Sequence, residues 1–309
     1  MAAGTMTNQP MRIGIVLPIA EEDGDSGVPS YASIRDVAVV AESAGFDSVW
    51  VFDHLLFRFD GESSGIHECW TILAAIAEAT RRVELGTLVM CTGFRNAALL
   101  AKMAATLDHV SDGRLILGIG AGWHDPEFEA FGYPTDHKVG RFEEALAVIT
   151  GLIREGRAGL DGRYMTARDA VLLPPARPDL PILVAAKGPR MLELTARHAD
   201  AWNLAWFGMP DERLTRVRGE LAAACTRVGR DPATLTITVG VTVRYLADAA
   251  AAEASSATRP GLSGTRHEIA AGLRAHAAAG ADHLIASLEP CTTSTVAEFA
   301  EALAIFRGG

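Results

Sequence analysis

Two ionisable side chains, Asp53 and His54, directly follow the apolar run at residues 48–52. An imidazole can donate or accept a proton near neutral pH, and a neighbouring carboxylate can orient it, so the pair is a candidate for acid–base chemistry. In an isolated pair of this kind, the aspartate often caps the next segment while the histidine is solvated. The position of the pair in the fold must decide between these interpretations.

A glycine-rich run follows the apolar stretch at residues 114–119. Glycine lacks a Cβ, so the run lets a flat ring approach the backbone, and the tryptophan that ends it can wall that ring. Tight packing between strands is the alternative. A dinucleotide-binding fingerprint does not fit, because the run enters His124-Asp125-Pro126 instead of opening a helix at once. The candidate residues are Gly120, Ala121, Gly122 and Trp123.

A run of small and cationic residues ends a third apolar stretch and leads into a helical pattern. Backbone amides at a helix N-terminus, together with two cations, favour an anion, and a phosphate fits this description. An ordinary strand-to-helix loop is the alternative. The candidate residues are Ala185, Ala186, Lys187, Gly188, Pro189 and Arg190.

All three runs lie at the end of a predicted strand. Apolar stretches of strand length alternate along the chain with stretches of helical period, which specifies parallel strands joined by right-handed crossovers. We therefore predict a single-domain α/β fold, a (β/α)8 TIM barrel over residues 1–309, whose strand ends carry the site. The predicted strands cover residues 12–18, 48–52, 83–90, 114–119, 181–186, 201–204, 235–243 and 283–287.

Three segments fall outside the alternating units. Residues 1–10 are predicted to be a flexible N-terminus. Residues 156–180 have no helical period and are interpreted as an insertion, in the form of a hairpin lid. Residues 249–264 are rich in alanine, serine and glycine and are predicted to be mobile. We expect the last two segments to shape the substrate pocket.

Composition excludes several classes of partner. The formal net charge is −10 and no run is dense in lysine or arginine, so neither nucleic acid nor a membrane surface is an expected partner. No apolar stretch approaches the roughly 20 residues that span a bilayer, and no leader pattern opens the sequence, so we expect a cytoplasmic protein. The four cysteines include no Cys-x-x-Cys pair, and no metal site is predicted.

Together these residues resemble the luciferase-like monooxygenase superfamily, and within it the group that uses the deazaflavin coenzyme F420. The similarity covers nearly the whole chain, and several spaced motifs in order are far more specific than any one of them. The motifs are Ser48–His54, Leu85–Val89, Ala101–Asp108, Ser111–Trp123 and Gly188–Asn203.

The resemblance implies a role for two pairs of residues. Asp53 and His54 would lie beside the cofactor ring, with His54 as the active-site acid or base. Leu88 and Val89 match the place where the family has a non-prolyl cis peptide that bulges under the ring. A bond of this kind persists only where its surroundings enforce it.

The other two runs also gain implied roles. Residues 120–123 would border the ring and the substrate, and residues 185–190 would hold the phosphate of the cofactor. The activity of the sugar-phosphate dehydrogenases in this group is not expected. Trp123 and Arg58 stand where those enzymes have a glutamate and an aromatic residue.

The resemblance implies an oxidoreductase that transfers a hydride between F420 and a small organic substrate, with Asp53 and His54 as catalytic residues. The first alternative is an FMN-dependent monooxygenase of the same fold, supplied with reduced cofactor by a separate reductase. The second is a non-catalytic flavin-binding protein. A homodimer is expected from the family alone.

Overall fold

The computed structural model describes residues 10–21, 27–245 and 260–308. Its strands, in chain order, are β1 (Arg12–Val16), β2 (Ser48–Val51), β3 (Phe57–Phe59), β4 (Glu62–Ser64), β5 (Glu84–Thr87), β6 (Met90–Cys91), β7 (Leu115–Gly120), β8 (Arg157–Asp161), β9 (Thr166–Val171), β10 (Ile182–Ala185), β11 (Ala201–Phe207), β12 (Thr236–Arg244), β13 (Leu262–Ser263) and β14 (His283–Glu289). The α-helices are α1 (Tyr31–Ser43), α2 (Cys69–Ala79), α3 (Ala97–Val110), α4 (Asp125–Ala130), α5 (Lys138–Thr150), α6 (Pro189–His198), α7 (Glu212–Arg227), α8 (Arg266–Ala278) and α9 (Thr293–Gly308).

Eight parallel strands close into a barrel. Their order is β10-β11-β12-β14-β1-β2-β5-β7, and β7 pairs with β10 to complete the ring. Each of the predicted strand regions supplies one barrel strand, so the predicted TIM barrel is confirmed. The carboxyl ends of all its strands lie on one side, where barrels of this kind build their sites.

Trp50 fills the interior of the barrel and is fully buried. A Cβ on Gly14 would lie 2.6 Å from the indole Nε1, and a Cβ on Gly86 would lie 2.0 Å from its Cε3, so both glycines make room for the ring. The indole N–H donates to Ser48 Oγ at 2.7 Å. The barrel interior is therefore a packed core, as is usual for this fold.

Polar side chains satisfy the free backbone amides at several helix starts. Ser30, Asn96 and Asp211 each accept a hydrogen bond from the backbone N–H three residues further on. Thr265 and Glu268 form a reciprocal capping box at the start of α8. These contacts fix where the helices begin, because the first amides of a helix have no partner within it.

The third barrel strand is interrupted, although the sequence predicts it as continuous. β5 ends at Thr87, β6 resumes at Met90, and the peptide bond between Leu88 and Val89 is cis. Beside the interruption, the Thr87 hydroxyl accepts from Gly118 N at 2.9 Å and donates to Gly118 O at 2.7 Å. Leu88 and Val89 lie outside both strands at the barrel mouth, although the Leu88 backbone N–H still donates to Val51 O of β2 at 2.8 Å.

The insertion at residues 156–180 contains the antiparallel hairpin β8–β9, but it is not a lid. The Glu144 carboxylate of α5 accepts from the backbone N–H groups of Arg163, Tyr164 and Met165. These bonds hold the hairpin tip on α5, outside the barrel. None of the residues 156–180 lines the cleft at the carboxyl ends of the strands.

A second hairpin, β3–β4, was not predicted from the sequence. Asp60 and Gly61 form its two-residue turn, with φ angles of 52° and 86°. An Asp-Gly pair is a strong signal for such a turn, but the flanking strands are short and carry no long apolar pattern. This hairpin, unlike the insertion, stands beside the barrel mouth.

Two other sequence predictions fall largely outside the described residues. These are the flexible N-terminus, apart from Pro10, and residues 249–259 of the predicted mobile segment. Residues 260–264 of that segment are described and carry β13, which pairs with β12. Within the described ranges, none of the helices is long and apolar enough to cross a bilayer.

Candidate active site

A cleft of about 310 Å³ opens at the carboxyl ends of the barrel strands. Residues from all three candidate runs line this cleft, and so do Leu88 and Val89. Those that line the cleft are Asp53, His54, Leu88, Val89, Gly122, Trp123, Ala185, Ala186 and Lys187. Those that do not line it are Gly120, Ala121, Gly188, Pro189 and Arg190.

The Asp53 carboxylate is buried and bonded at both oxygens. Arg95 donates to Oδ2 at 2.5 Å and to Oδ1 at 3.0 Å, and the Cys91 backbone N–H donates to Oδ2 at 2.8 Å. Burial by itself would lower the pKa of Arg95, but the charge of Asp53 and the hydrogen bonds to Asp53 and Glu68 together raise that pKa. This bonding holds the carboxylate in place, and the catalytic role of Asp53 stays a prediction.

Glu68 binds the same guanidinium. Arg95 Nη2 lies 2.7 Å from Glu68 Oε1, and the Glu68 carboxylate also accepts from the backbone N–H of Thr71 at 2.7 Å. Glu68 is therefore the N-cap of α2. Asp53, Glu68 and Cys69 lie close enough together to hold a cation, but the Arg95 guanidinium already bonds both carboxylates. The group is an ion-pair cluster.

His54 is held by a carboxylate that the sequence analysis missed. Its Nδ1 lies 2.8 Å from Glu127 Oε1, and the other oxygen, Oε2, accepts from the backbone N–H of Leu55 at 2.8 Å. Glu127 is almost wholly buried. A carboxylate accepts hydrogen bonds, so Nδ1 carries a proton, and Nε2 has no hydrogen-bond partner among the described residues. The imidazole is thus fixed in orientation with one nitrogen free for a ligand.

The glycines of β7 and the following loop are packed against protein atoms. A Cβ on Gly118 would lie 1.9 Å from the backbone oxygen of Thr87, and a Cβ on Gly120 would lie 2.7 Å from Val89 Cγ2. A Cβ on Gly122 would lie 2.6 Å from Cys91 Sγ. Close packing therefore requires these glycines whatever ligand binds, and their contact with a cofactor ring stays a prediction.

The predicted phosphate cradle is split. Ala185, Ala186 and Lys187 line the cleft, and in the described part of the chain Lys187 has no carboxylate partner. Arg190 instead points to α5, where it is paired with Glu143. One cation, Lys187, is thus available to an anion in the cleft, rather than the two cations expected.

Aromatic rings surround His54 on its open side. The centroid of Phe57 lies 4.5 Å from that of His54, and the centroid of Trp123 lies 5.5 Å from it in an edge-to-face arrangement. The neighbouring His124 accepts the backbone N–H of Arg58 at Nε2, 3.0 Å away, which ties the β3–β4 hairpin to the loop after β7. Burial lowers the pKa of His124, which favours the neutral ring that can accept this bond.

Proton transfer in the cleft requires a side chain that ionises near neutral pH. The thiols of Cys91 and Cys69 do not meet this requirement. Cys91 lines the cleft, but burial raises its pKa to about 12. Burial also raises the pKa of Cys69 well above its ordinary value. Both thiols are therefore protonated near neutral pH, and the role of His54 as the acid or base stays a prediction.

The chain is thus a TIM barrel whose third strand is interrupted and whose mouth holds a histidine bonded to a buried carboxylate. The model of the luciferase-like monooxygenase family matches residues 11–303, and the chain belongs to that family.

Curated relatives give finer names. A phthiodiolone/phenolphthiodiolone dimycocerosates ketoreductase of Mycobacterium sp. (strain JLS) is 37% identical over 232 residues, which is 67% of this chain. The match covers 60% of the length of that ketoreductase. A 5,10-methylenetetrahydromethanopterin reductase of Methanolobus tindarius is 32% identical over 234 residues, covering 75% of this chain and 67% of the relative.

Solved structures share the fold. An F420-dependent secondary alcohol dehydrogenase, in complex with an F420–acetone adduct, has a TM-score of 0.79 at 19% identity, covering 97% of this chain and all of the other. A riboflavin lyase with modified FMN has a TM-score of 0.78 at 16% identity, covering 97% of this chain and 92% of the other. At such identities these likenesses show the fold alone.

Proposed function

We propose that this protein is an oxidoreductase that transfers a hydride between coenzyme F420 and a small organic carbonyl compound. The observation that carries the proposal is the cleft in which His54, held through Nδ1 by Glu127, stands beside the Leu88–Val89 segment and the Ala185–Lys187 run. These residues come from different strand ends and converge on one space, as the parts of a cofactor site do in a TIM barrel.

The residues of the cleft fit a flavin-like group. Leu88 and Val89 offer an apolar surface outside the sheet, and the small side chains of Ala185 and Ala186 leave room beside it. Lys187, which no described carboxylate neutralises, supplies the charge that a phosphate requires. An apolar surface with a cation at one end fits a flat ring that carries a phosphate.

When bound, reduced deazaflavin supplies a hydride to the acceptor. The part of His54 is to exchange a proton with the substrate oxygen through Nε2, the nitrogen without a described partner. The carboxylate of Glu127 holds Nδ1 at 2.8 Å, which leaves Nε2 for this exchange. The same pair takes the proton back when the reaction runs from alcohol to carbonyl.

The names of the relatives support this choice. The ketoreductases and the methanopterin reductase that this chain resembles reduce their substrates, and an F420-dependent alcohol dehydrogenase shares its fold. The fold is also shared by a protein that holds modified FMN, so the choice of cofactor needs a direct test.

The test is to titrate the purified protein with F420 and with FMN and to follow binding by calorimetry. We expect saturable binding of F420. The variant Lys187→Gln should bind F420 about tenfold more weakly. The control is a deazaflavin without phosphate, whose affinity should be the same for the variant and the wild type. Binding of FMN with no binding of F420 would reject the proposal and favour the monooxygenase.

A further inference from the structure

Phe57, Phe59 and Trp123 form an aromatic shelf beside His54. The centroids of Phe57 and Phe59 lie 6.1 Å apart with planes 19° apart, and those of Phe59 and Trp123 lie 6.4 Å apart with planes 25° apart. The planes are thus nearly parallel within each of these two pairs. Trp123 lines the cleft, and Phe57 and Phe59 continue the aromatic surface beside it.

The aromatic shelf is exposed although its rings are large and apolar. Trp123 is 62% exposed and Phe59 is 55% exposed. Phe57 and Phe59 alternate with Arg58 along β3, so the arginine lies on the opposite face, where its Nε donates to Ser63. A contiguous apolar surface that runs into a cleft is typical of a ligand site.

We propose that the aromatic shelf binds a flat aromatic group of the substrate, so that the protein acts on aromatic carbonyl compounds. This inference rests on the proposed function and names its substrate class. A ring lying on Trp123 and Phe57 brings an attached carbonyl group to His54, because both residues contact the imidazole.

The reaction balances with the groups already named. A C–H bond would form at the carbonyl carbon as a C–H bond of the reduced deazaflavin breaks and gives up its hydride, the electron pair of the C=O π bond would move to oxygen, and oxygen would take the proton of His54. The ketone would become a secondary alcohol, the oxidised deazaflavin would release one proton, and His54 would regain one proton from the solvent.

The near-parallel planes favour a flat ring over a saturated one. Aromatic pairs gain stabilisation beyond the area that they bury when their rings meet in offset or edge-to-face geometry. A saturated ring of the same carbon skeleton buries a similar area but gains none of this additional stabilisation. The proposal therefore predicts discrimination by flatness, which apolar burial alone does not give.

The experiment compares acetylnaphthalene with its ring-saturated counterpart. Binding of each ketone to the protein is measured by calorimetry, both alone and with F420 present, and turnover is measured with reduced F420. We expect the aromatic ketone to bind about three- to tenfold more tightly. Equal affinity of the two ketones would overturn the inference.

Variants of the shelf sharpen the test. Trp123→Leu should abolish the preference for the aromatic ketone, whereas Trp123→Phe should retain most of it. Phe131→Leu is the matched control, because Phe131 is 51% exposed but lies outside the cleft, and it should leave the preference unchanged. A loss of preference in Phe131→Leu, or a change of oligomeric state in Trp123→Leu in place of a change in affinity, would contradict the proposal.

Failure of the proposed function is distinguishable from failure of this inference. If F420 does not bind, the proposed function fails, while the preference for the aromatic ketone remains measurable by calorimetry. If F420 binds and both ketones are turned over with equal kcat/KM, the proposed function stands and the aromatic shelf has no part in substrate choice.

Discussion

Proton transfer by an imidazole depends on which nitrogen carries the proton and where the other one points. The Glu127 carboxylate settles both questions for His54, since Oε1 lies 2.8 Å from Nδ1 while Oε2 is anchored by the backbone of Leu55. Glu127 is thus a positioning residue that acts through His54.

We predict that His54→Ala lowers turnover by about 10²- to 10⁴-fold, the usual contribution of a general acid or base. The affinity for F420 should change much less. Glu127→Gln should lower kcat by a smaller factor and leave KM close to the wild-type value, because the side chain keeps an oxygen that can accept from Nδ1 of His54 but loses its charge. Steady-state kinetics measure kcat and KM separately.

The control for Glu127→Gln is Glu129→Gln, a change of the same charge at an exposed position of the same helix. It should leave both kcat and KM in place. An unchanged kcat in Glu127→Gln would show that the contact serves only folding, and wild-type turnover in His54→Ala would remove His54 from the mechanism.

At this scale the sequence identifies His54 but not its partner. His54 directly follows a predicted strand, and residues that follow barrel strands lie at the carboxyl ends of the barrel, so the predicted fold alone places His54 at the barrel mouth. Glu127 lies on α4, a short helix whose orientation depends on tertiary contacts, and nothing local in the pattern says which face turns inward. Arg95, the partner of Asp53, is equally hidden, because ion pairs between distant segments leave no periodic signal.

The packing of β7 against the interrupted third strand shows why an element can require glycine without any ligand. The backbone oxygen of Thr87 occupies the space where a Cβ of residue 118 would lie. Because backbone atoms bonded into a sheet cannot move aside as a side chain end can, the contact cannot relax cheaply. Leu88 and Val89, which follow Thr87, line the cleft.

We predict that Gly118→Ala destabilises the protein by about 3 kcal/mol, the upper part of the usual range for overpacking. The matched control is Gly159→Ala in β8, where a Cβ meets nothing within 4 Å. It should change stability by less than about 0.5 kcal/mol. Urea unfolding of both variants measures the difference, and equal stability would mean that the barrel relaxes around residue 118.

The elements that shape the cleft were the least predictable from the sequence. The insertion at residues 156–180 reads as a lid because it lies outside the alternating pattern, yet Glu144 fixes its tip to α5. The β3–β4 hairpin carries part of the aromatic shelf, but its strands are three residues each and were passed over. Short elements of this kind are specified by tertiary contacts more than by pattern.

The barrel as a whole was predictable for the opposite reason. Each strand–helix unit buries apolar residues in a local, repeated pattern, and chain closure follows from the handedness of the crossovers. Every predicted strand region supplies a barrel strand. The predicted barrel rests on many weak signals of the same kind, so a wrong assignment of one residue does not change the predicted fold.

Buried histidines give the whole molecule a dependence on acid. Burial is the first cause that lowers the pKa of each of His124, His276 and His283. The unfolded chain, with ordinary histidine pKa values of about 6.5, therefore binds more protons than the folded chain below that pH. This part of the stability is complete above about pH 6.5 and is lost as the pH falls below it.

We predict that the free energy of unfolding, measured in urea, falls between pH 6.5 and pH 5, by at most about 1.4 kcal/mol per pH unit for each histidine that stays neutral. Hydrogen-bonded carboxylates such as Glu144, whose pKa is lowered, add to the loss only at more acid pH. His283 is fully buried against Ser48 Oγ, so His283→Gln should lower stability at pH 7.5 and flatten the profile. A profile that His283→Gln leaves equally steep would show that other groups carry the acid dependence.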